Sequence, residues 1–365
     1  MVPLAAIAGS VIILLTLIEA FETIILPRRV TRRFRLTPGF YRYTWKPFSA
    51  CARGIDNVKR RESMLALYGP LSLILLIAVW AAGMIFGFAL LQWSVGSTIE
   101  GSGLPRSFLT DLYFSGSTFC TLGLGDVTPR AALSRTLTIV EAGMGFGFLA
   151  LVISYLPVVY GGFSEREVNV ALLDGRAGTP PTAAELILRN NDPEHMGLRE
   201  IFHEWEHSSA ELLESHISYP VVGYFRSQHD NQSWVAALTA VLDATALCQV
   251  GIVGAPVRQA QLTFAMARHA VVDLAQVFNT PPRDLETPRL SREALEELRS
   301  QLANAGIELQ LTPEGEQRLT KLRNLYEPYI AALAEYLLVQ LPPWFRASTA
   351  HDNWKTSRWG ERFTI

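Results

Sequence analysis

The chain has 365 residues, of which 49% are hydrophobic and 18% charged, long enough for two domains and apolar enough to lean towards a membrane protein. Its three cysteines, Cys51, Cys120 and Cys248, exclude a disulfide framework and read as reduced thiols. The net charge of −2 conceals an asymmetry: residues 27–63 carry eleven basic and two acidic residues, and residues 161–365 carry eighteen and twenty-six.

In chain order, residues 2–26 are apolar except for Glu19 and Glu22. They begin without basic residues and end at Pro27-Arg28-Arg29, so they read as a retained span rather than a cleaved signal. The basic block 27–63 interleaves Arg and Lys with Phe34, Phe40, Tyr41, Tyr43, Trp45 and Phe48. Basic residues beside spans stay in the cytoplasm, which places the amino terminus outside. The same mixture suits a segment lying on anionic headgroups, and its place between two spans argues against nucleic acid.

A second span is expected over about 64–91, followed by a short polar outer loop at 94–105. Residues 106–119 are too short to cross and suit a re-entrant helix, whose C-terminal end favours a cation. Next comes Thr118-Phe119-Cys120-Thr121-Leu122-Gly123-Leu124-Gly125-Asp126. A third span, about 131–160, carries Gly143, Gly145 and Gly147 at its middle and a lone carboxylate, Glu141. Intramembrane carboxylates usually face protein or water and mark function.

The order Thr121-x-Gly123-x-Gly125-Asp126 between two apolar runs resembles the selectivity filter of the pore-loop potassium channel superfamily. The family form is Thr-Val-Gly-Tyr-Gly-Asp, and here Leu122 and Leu124 replace Val and Tyr. Such a filter replaces an ion's water with backbone carbonyls, and aiming them inward asks for backbone signs that glycine adopts cheaply. The resemblance covers residues 64–160. It implies that Thr121, Leu122, Gly123, Leu124 and Gly125 bind the ion, with Asp126 at the outer mouth. It also implies a homotetramer, since one chain carries one loop, and a gating hinge at Gly145 or its neighbours Gly143 and Gly147. Packing of these glycines against the second span is an equal reading. Potassium is the permeant species and no cofactor is expected.

Beyond Gly161, residues 161–182 read as a linker, with Asp174–Pro181 rich in turn residues. Helical patterns follow at about 183–190, 197–217, 233–253, 256–279, 291–304 and 314–341, and strand alternation is absent. Trp234–Val253 is apolar enough to raise a fourth span, but Asp243 and Gln249 favour a buried bundle helix. Residues 342–365 read as an irregular tail with three tryptophans. The expected fold is an all-α membrane protein: three transmembrane helices with a re-entrant helix and filter, then an all-α cytoplasmic domain over 183–341.

His203-Glu204-Trp205-Glu206-His207 literally matches the zinc-protease pattern, with Glu211, Glu214 or His216 available as a third ligand. The segment is rich in Glu and His, so the match is cheap, and the expectation is a polar helix face with no metal. Overall, the sequence points to a multi-pass protein of the cell membrane that conducts potassium and is not an enzyme. A weakly selective cation channel and a membrane-bound zinc peptidase are the competing readings.

Overall fold

The computed structural model describes residues 2–26, 36–96, 99–101, 107–192, 196–229 and 231–346. The chain divides into two compact units, residues 1–160 and 161–365. The first is built from α1 (Val2–Ile24), α2 (Leu36–Arg53), α3 (Val58–Ser94), a short helix α4 (Phe108–Phe119) and the long helix α5 (Ala132–Ala177). Two three-residue strands, β1 (Ile99–Gly101) and β2 (Val127–Pro129), pair antiparallel with Gly101 opposite Val127. Three helices, α1, α3 and α5, are long and apolar enough to cross a membrane.

Helices in hydrocarbon gain little from burying apolar surface, so close packing and polar links hold them together. On α1, Gly9 sits against Gly87 of α3, and Ile13 packs with Met84 and Phe88. The α3–α5 link is polar: Ser134 Oγ donates to Gln92 Oε1 at 2.6 Å, and Gln92 Nε2 reaches Ser134 O and Thr138 Oγ1 at 3.3 Å. Glu19, buried at the end of α1, accepts from the Thr37 N–H at 3.1 Å and the Thr37 hydroxyl at 3.0 Å. The carboxylate thus caps the N-terminus of α2.

Most of the basic block therefore has a fold of its own. In α2, Tyr41, Trp45, Ser49 and Ala52 are buried at helical spacing, and Arg42, Lys46 and Arg53 are exposed beside that stripe. Tyr68 of α3 receives the buried face: its ring meets Trp45 at 4.7 Å, and its hydroxyl lies 2.8 Å from Thr44 Oγ1. The basic residues Arg28 to Arg35 lie outside the described residues.

The second unit is all-α among the described residues apart from a single bridge between Ile252 and Leu309. It contains α6 (Ala183–Arg189), α7 (Met196–Ser218), α8 (Trp234–Val250), α9 (Val257–Val277), α10 (Arg292–Asn304), α11 (Pro313–Asn324) and α12 (Glu327–Leu337). Every residue of α8 from Trp234 to Cys248 is buried, so this apolar stretch is the central helix of the bundle and not a fourth span. Asp243 is made tolerable inside it by a bidentate pair with Arg289, at 2.6 and 3.1 Å, and by the Tyr326 hydroxyl. Arg289 also donates to Pro342 O at 2.8 Å, and Trp344 is buried beneath the guanidiniums of Arg289 and Arg323. The start of the tail is therefore docked, whereas Trp354 and Trp359 lie outside the described residues.

Two sequence expectations differ from the fold. Helix α5 does not break at Gly161-Gly162, where a linker was expected; it ends at Ala177, before Gly178 at φ 81. The helix expected at 314–341 is two helices, because Tyr326 leaves helical geometry at φ −134 and Pro328 lies in the first turn of α12.

The last turns of α5, which belong to the second unit, are held there by a buried cation. Arg166, 3% exposed, donates to the carbonyls of Val222 and Phe225, each at 2.9 Å, and pairs with Glu167. Its Nη1 lies 3.3 Å from His216 Nε2. A guanidinium can only donate, so Nε2 must accept and His216 is neutral. Burial, and then the Arg166 charge, hold this imidazole well below its usual range. The unfolded chain takes up a proton near pH ~6.5 that the folded unit refuses. We expect the melting temperature of the full chain in detergent to fall as pH drops below that value and to be less sensitive above it. In His216→Gln the acid-side slope should flatten; an equal slope in both proteins would assign it to other groups.

Candidate functional site: the loop between α4 and α5

Helix α4 is positioned at both ends. Ser107 caps it by accepting from the Thr110 N–H at 3.3 Å, and its last carbonyls are taken by the loop that follows. Cys120 N–H donates to Gly116 O at 3.0 Å, Thr121 N–H to Thr118 O at 3.0 Å and Leu122 N–H to Ser117 O at 2.8 Å. The helix end and the loop therefore move as one piece.

From Thr121 to Gly125 the sign of φ alternates. Thr121, Gly123 and Gly125 are at +55, +57 and +76, and Leu122 and Leu124 are not among the residues of positive φ. Glycine takes such values without penalty, whereas Thr121 pays about 1–2 kcal/mol for its Cβ. Strain of that size persists where the surroundings fix it, here through the peptide bonds anchored on Ser117 and Thr118. Alternating left- and right-handed residues turn successive carbonyls towards one side, as an ion-binding ladder requires.

This segment has few neighbours within its own chain. Leu122 and Leu124 are 61% and 60% exposed, and a Cβ on Gly123 or Gly125 would meet nothing within 4 Å. The loop exit is fixed more firmly. Asp126 Oδ2 accepts from the Tyr113 hydroxyl of α4 at 2.8 Å, and the β1–β2 pair begins at the next residue. Val127 packs on Phe114, and Arg135 Nε reaches Pro129 O at 3.2 Å. The Tyr113 link escaped the sequence reading because its partners lie thirteen residues apart, across a loop of unknown path.

The three glycines of α5 have different surroundings. A Cβ on Gly145 would lie 2.1 Å from Phe119 O, so this residue allows α5 to touch the end of α4. A Cβ on Gly143 or Gly147 would meet nothing within 4 Å. The close contact of Gly145 is with α4, whereas the sequence suggested the second span.

The histidine motif gathers nothing around it. His203, Glu204 and His207 lie on the exposed face of α7, with the two rings stacked at 6.5 Å. Glu204 lies 3.7 Å from Arg176, Glu206 accepts from Gln259 Nε2 at 2.7 Å and His216 points into the core. Among the described residues no group of three His, Cys, Asp or Glu side chains is placed to hold a metal; His195 lies outside them.

The family match to known proteins falls within the first unit. Residues 74–160 match a family model described as an ion channel. The chain is 36% identical over 94 residues to "Probable potassium channel protein 2" of Methanocaldococcus jannaschii, covering 25% of each chain. It is 24% identical over 195 residues to "Uncharacterized membrane protein YdjJ" of Bacillus subtilis, covering 52% of this chain and 55% of that protein. The chain thus spans about half of one relative and a quarter of the other. No solved structure matches.

If His203 and His207 form only a polar face, purified protein should carry no stoichiometric zinc. Glu204→Gln should leave ion flux within about twofold of wild type, since a solvated surface change costs about 0.5 kcal/mol or less. Stoichiometric zinc that disappears in His203→Ala would overturn this expectation.

Proposed function

We propose that the chain is a potassium-selective channel in which Thr121 to Gly125 offer backbone carbonyls, with the Thr121 hydroxyl, to a dehydrated ion. The observation that carries this reading is the alternation of φ over Thr121–Gly125, at the end of a short helix between two spans. Asp126, held by Tyr113 at the loop exit, supplies a carboxylate that attracts cations at the outer mouth. The potassium channel named for the archaeal relative supports the choice of ion.

One loop cannot surround an ion, and the exposure of Leu122 and Leu124 leaves sides for other copies to cover. Helix α5 adds to this: only 17% of its most apolar window is buried in the chain, against 39% for α3. A closed ring of four copies meets both needs. A weakly selective cation pore is the second reading, because Leu124 lacks the aromatic ring that braces the family's filter.

Potassium flux into liposomes holding the purified protein tests the proposal. Gly123→Val should abolish it, because a β-branched residue resists φ +57 and its side chain would enter the space of the ring. Leu124→Tyr should keep conduction and raise potassium over sodium; each tenfold change corresponds to about 1.4 kcal/mol. Unchanged flux in Gly123→Val would remove this loop from the ion path.

The proposed topology puts the amino terminus outside, residues 27–63 and 161–365 in the cytoplasm and the 92–105 loop outside, with the basic face of α2 on anionic headgroups. Single cysteines at Ser97 and Asn304 in a cysteine-free background should react with impermeant reagent from opposite sides. Reaction of both from one side would refute the arrangement.

A further inference from the structure

Glu141 is 0% exposed, on the apolar part of α5. It lies on the side of the helix that also carries Ser134 and Thr138, which bond Gln92, and Gly145, which touches Phe119. Its Oε1 forms a short hydrogen bond with the Ser115 hydroxyl of α4, and its Oε2 has no hydrogen-bond partner among the described residues. The same Ser115 Oγ lies 2.7 Å from the Ile85 carbonyl of α3.

The hydrogens can be counted. A serine hydroxyl has one to give, and a backbone carbonyl has none. If Ser115 donates to Ile85, the hydrogen between Ser115 and Glu141 must come from the carboxyl group. If the carboxyl is ionised, Ser115 must turn to it and abandon Ile85. That arrangement leaves a buried anion with one hydrogen bond and a bare second oxygen. Charge in hydrocarbon without further partners is the more costly state, by several kcal/mol.

We propose that Glu141 is a neutral carboxylic acid, the first donor in a chain running from Glu141 to the Ser115 hydroxyl to the Ile85 carbonyl. The chain ties α5, α4 and α3 together beside the loop. It makes Glu141 a positioning residue for conduction, which rests on the reading of residues 121–125 as the ion path. The coupling to the loop is short. Gly116, Ser117 and Thr118, next after Ser115, provide the carbonyls that hold Cys120, Leu122 and Thr121. A shift of α4 at Ser115 is passed to those peptides without an intervening flexible link.

Two kinds of measurement test this on the full chain in liposomes. In the infrared, wild type minus Glu141→Gln at neutral pH should show the carbonyl stretch of a neutral carboxylic acid. Asp111, one turn before Ser115 and also buried, is present in both proteins and cancels. In flux assays Glu141→Gln, which keeps a donor of similar shape, should match wild type in potassium over sodium. Glu141→Leu and Ser115→Ala should each lower that ratio, or the potassium flux, by about tenfold, the scale expected for a lost buried hydrogen bond.

Carboxylate bands alone in the difference spectrum would overturn the proposal. So would Glu141→Gln failing to fold or conduct, or Glu141→Leu conducting with wild-type selectivity. If Glu141→Leu does not assemble, the Gln variant and the spectrum still decide. Gly123→Val separates this from the ion-path reading: flux surviving there sinks that reading while the infrared result still reports on Glu141. A dead Gly123→Val beside a wild-type Glu141→Leu sinks only the role of Glu141.

Discussion

Peptide groups in hydrocarbon have no water to bond, and each one left unpaired costs several kcal/mol. This constraint governs the first unit. A helix satisfies its own backbone and can cross; the segment 120–126 cannot, because its φ values alternate in sign and its residues are exposed. Such backbone survives at membrane depth only against protein or a wet path. The surrounding structure holds this segment in place. Helix α4 stops after twelve residues, its last carbonyls bond the loop's own N–H groups, and the β1–β2 pair takes over immediately beyond Asp126. Helices α1 and α3 then serve as a frame, joined by small residues on one side and to α5 by Gln92 on the other.

The second unit treats buried charge differently. In α8 the buried Asp243 is matched by Arg289 and Tyr326, so charge and hydrogen bonds are both satisfied. Partners of full charge, Glu327 and Arg323, extend the network to the docked Trp344. Glu141 in α5 has no cation within reach among the described residues and one hydroxyl partner. The same side-chain chemistry is handled by pairing in one environment and, as proposed, by neutralisation in the other.

Much of this was legible in the residues because it depends on local pattern. The three spans, the short helix before Thr121 and five of the six helical stretches after 183 were readable from apolar length and period. Asp243 and Gln249 separated the central bundle helix from a span, since a membrane segment seldom carries such residues. What escaped depends on contacts between distant residues or on competition between weak preferences. Ser115 and Glu141 are 26 positions apart, and no local pattern pairs them. Gly161-Gly162 resembles a linker, yet two glycines cost only about 1 kcal/mol each against the long helix on either side. Tyr326 starts a new helix where periodicity continued unbroken, because Pro328 cannot supply the N–H that the earlier helix would need. The histidine motif matched in letters alone, since a pattern of residue types does not say that the other face of α7 is the buried one.

Helix α3 has 37 residues, about 55 Å at 1.5 Å per residue, against hydrocarbon about 30 Å thick. Its length therefore does not choose which stretch sits in the lipid. The ring contacts of Trp45 and Phe48 with Tyr68 remove that freedom, because α2 carries exposed basic residues beside this buried face. If α2 lies at the headgroups, as proposed, the level of Tyr68 becomes one boundary of the hydrocarbon. A thinner or thicker bilayer then cannot be matched by sliding α3 along its axis. It has to be met by tilt, and a tilted α3 carries Ile85, and with it the short helix behind the loop. Lipid chain length would thus act as a mechanical input to the loop without any lipid touching it.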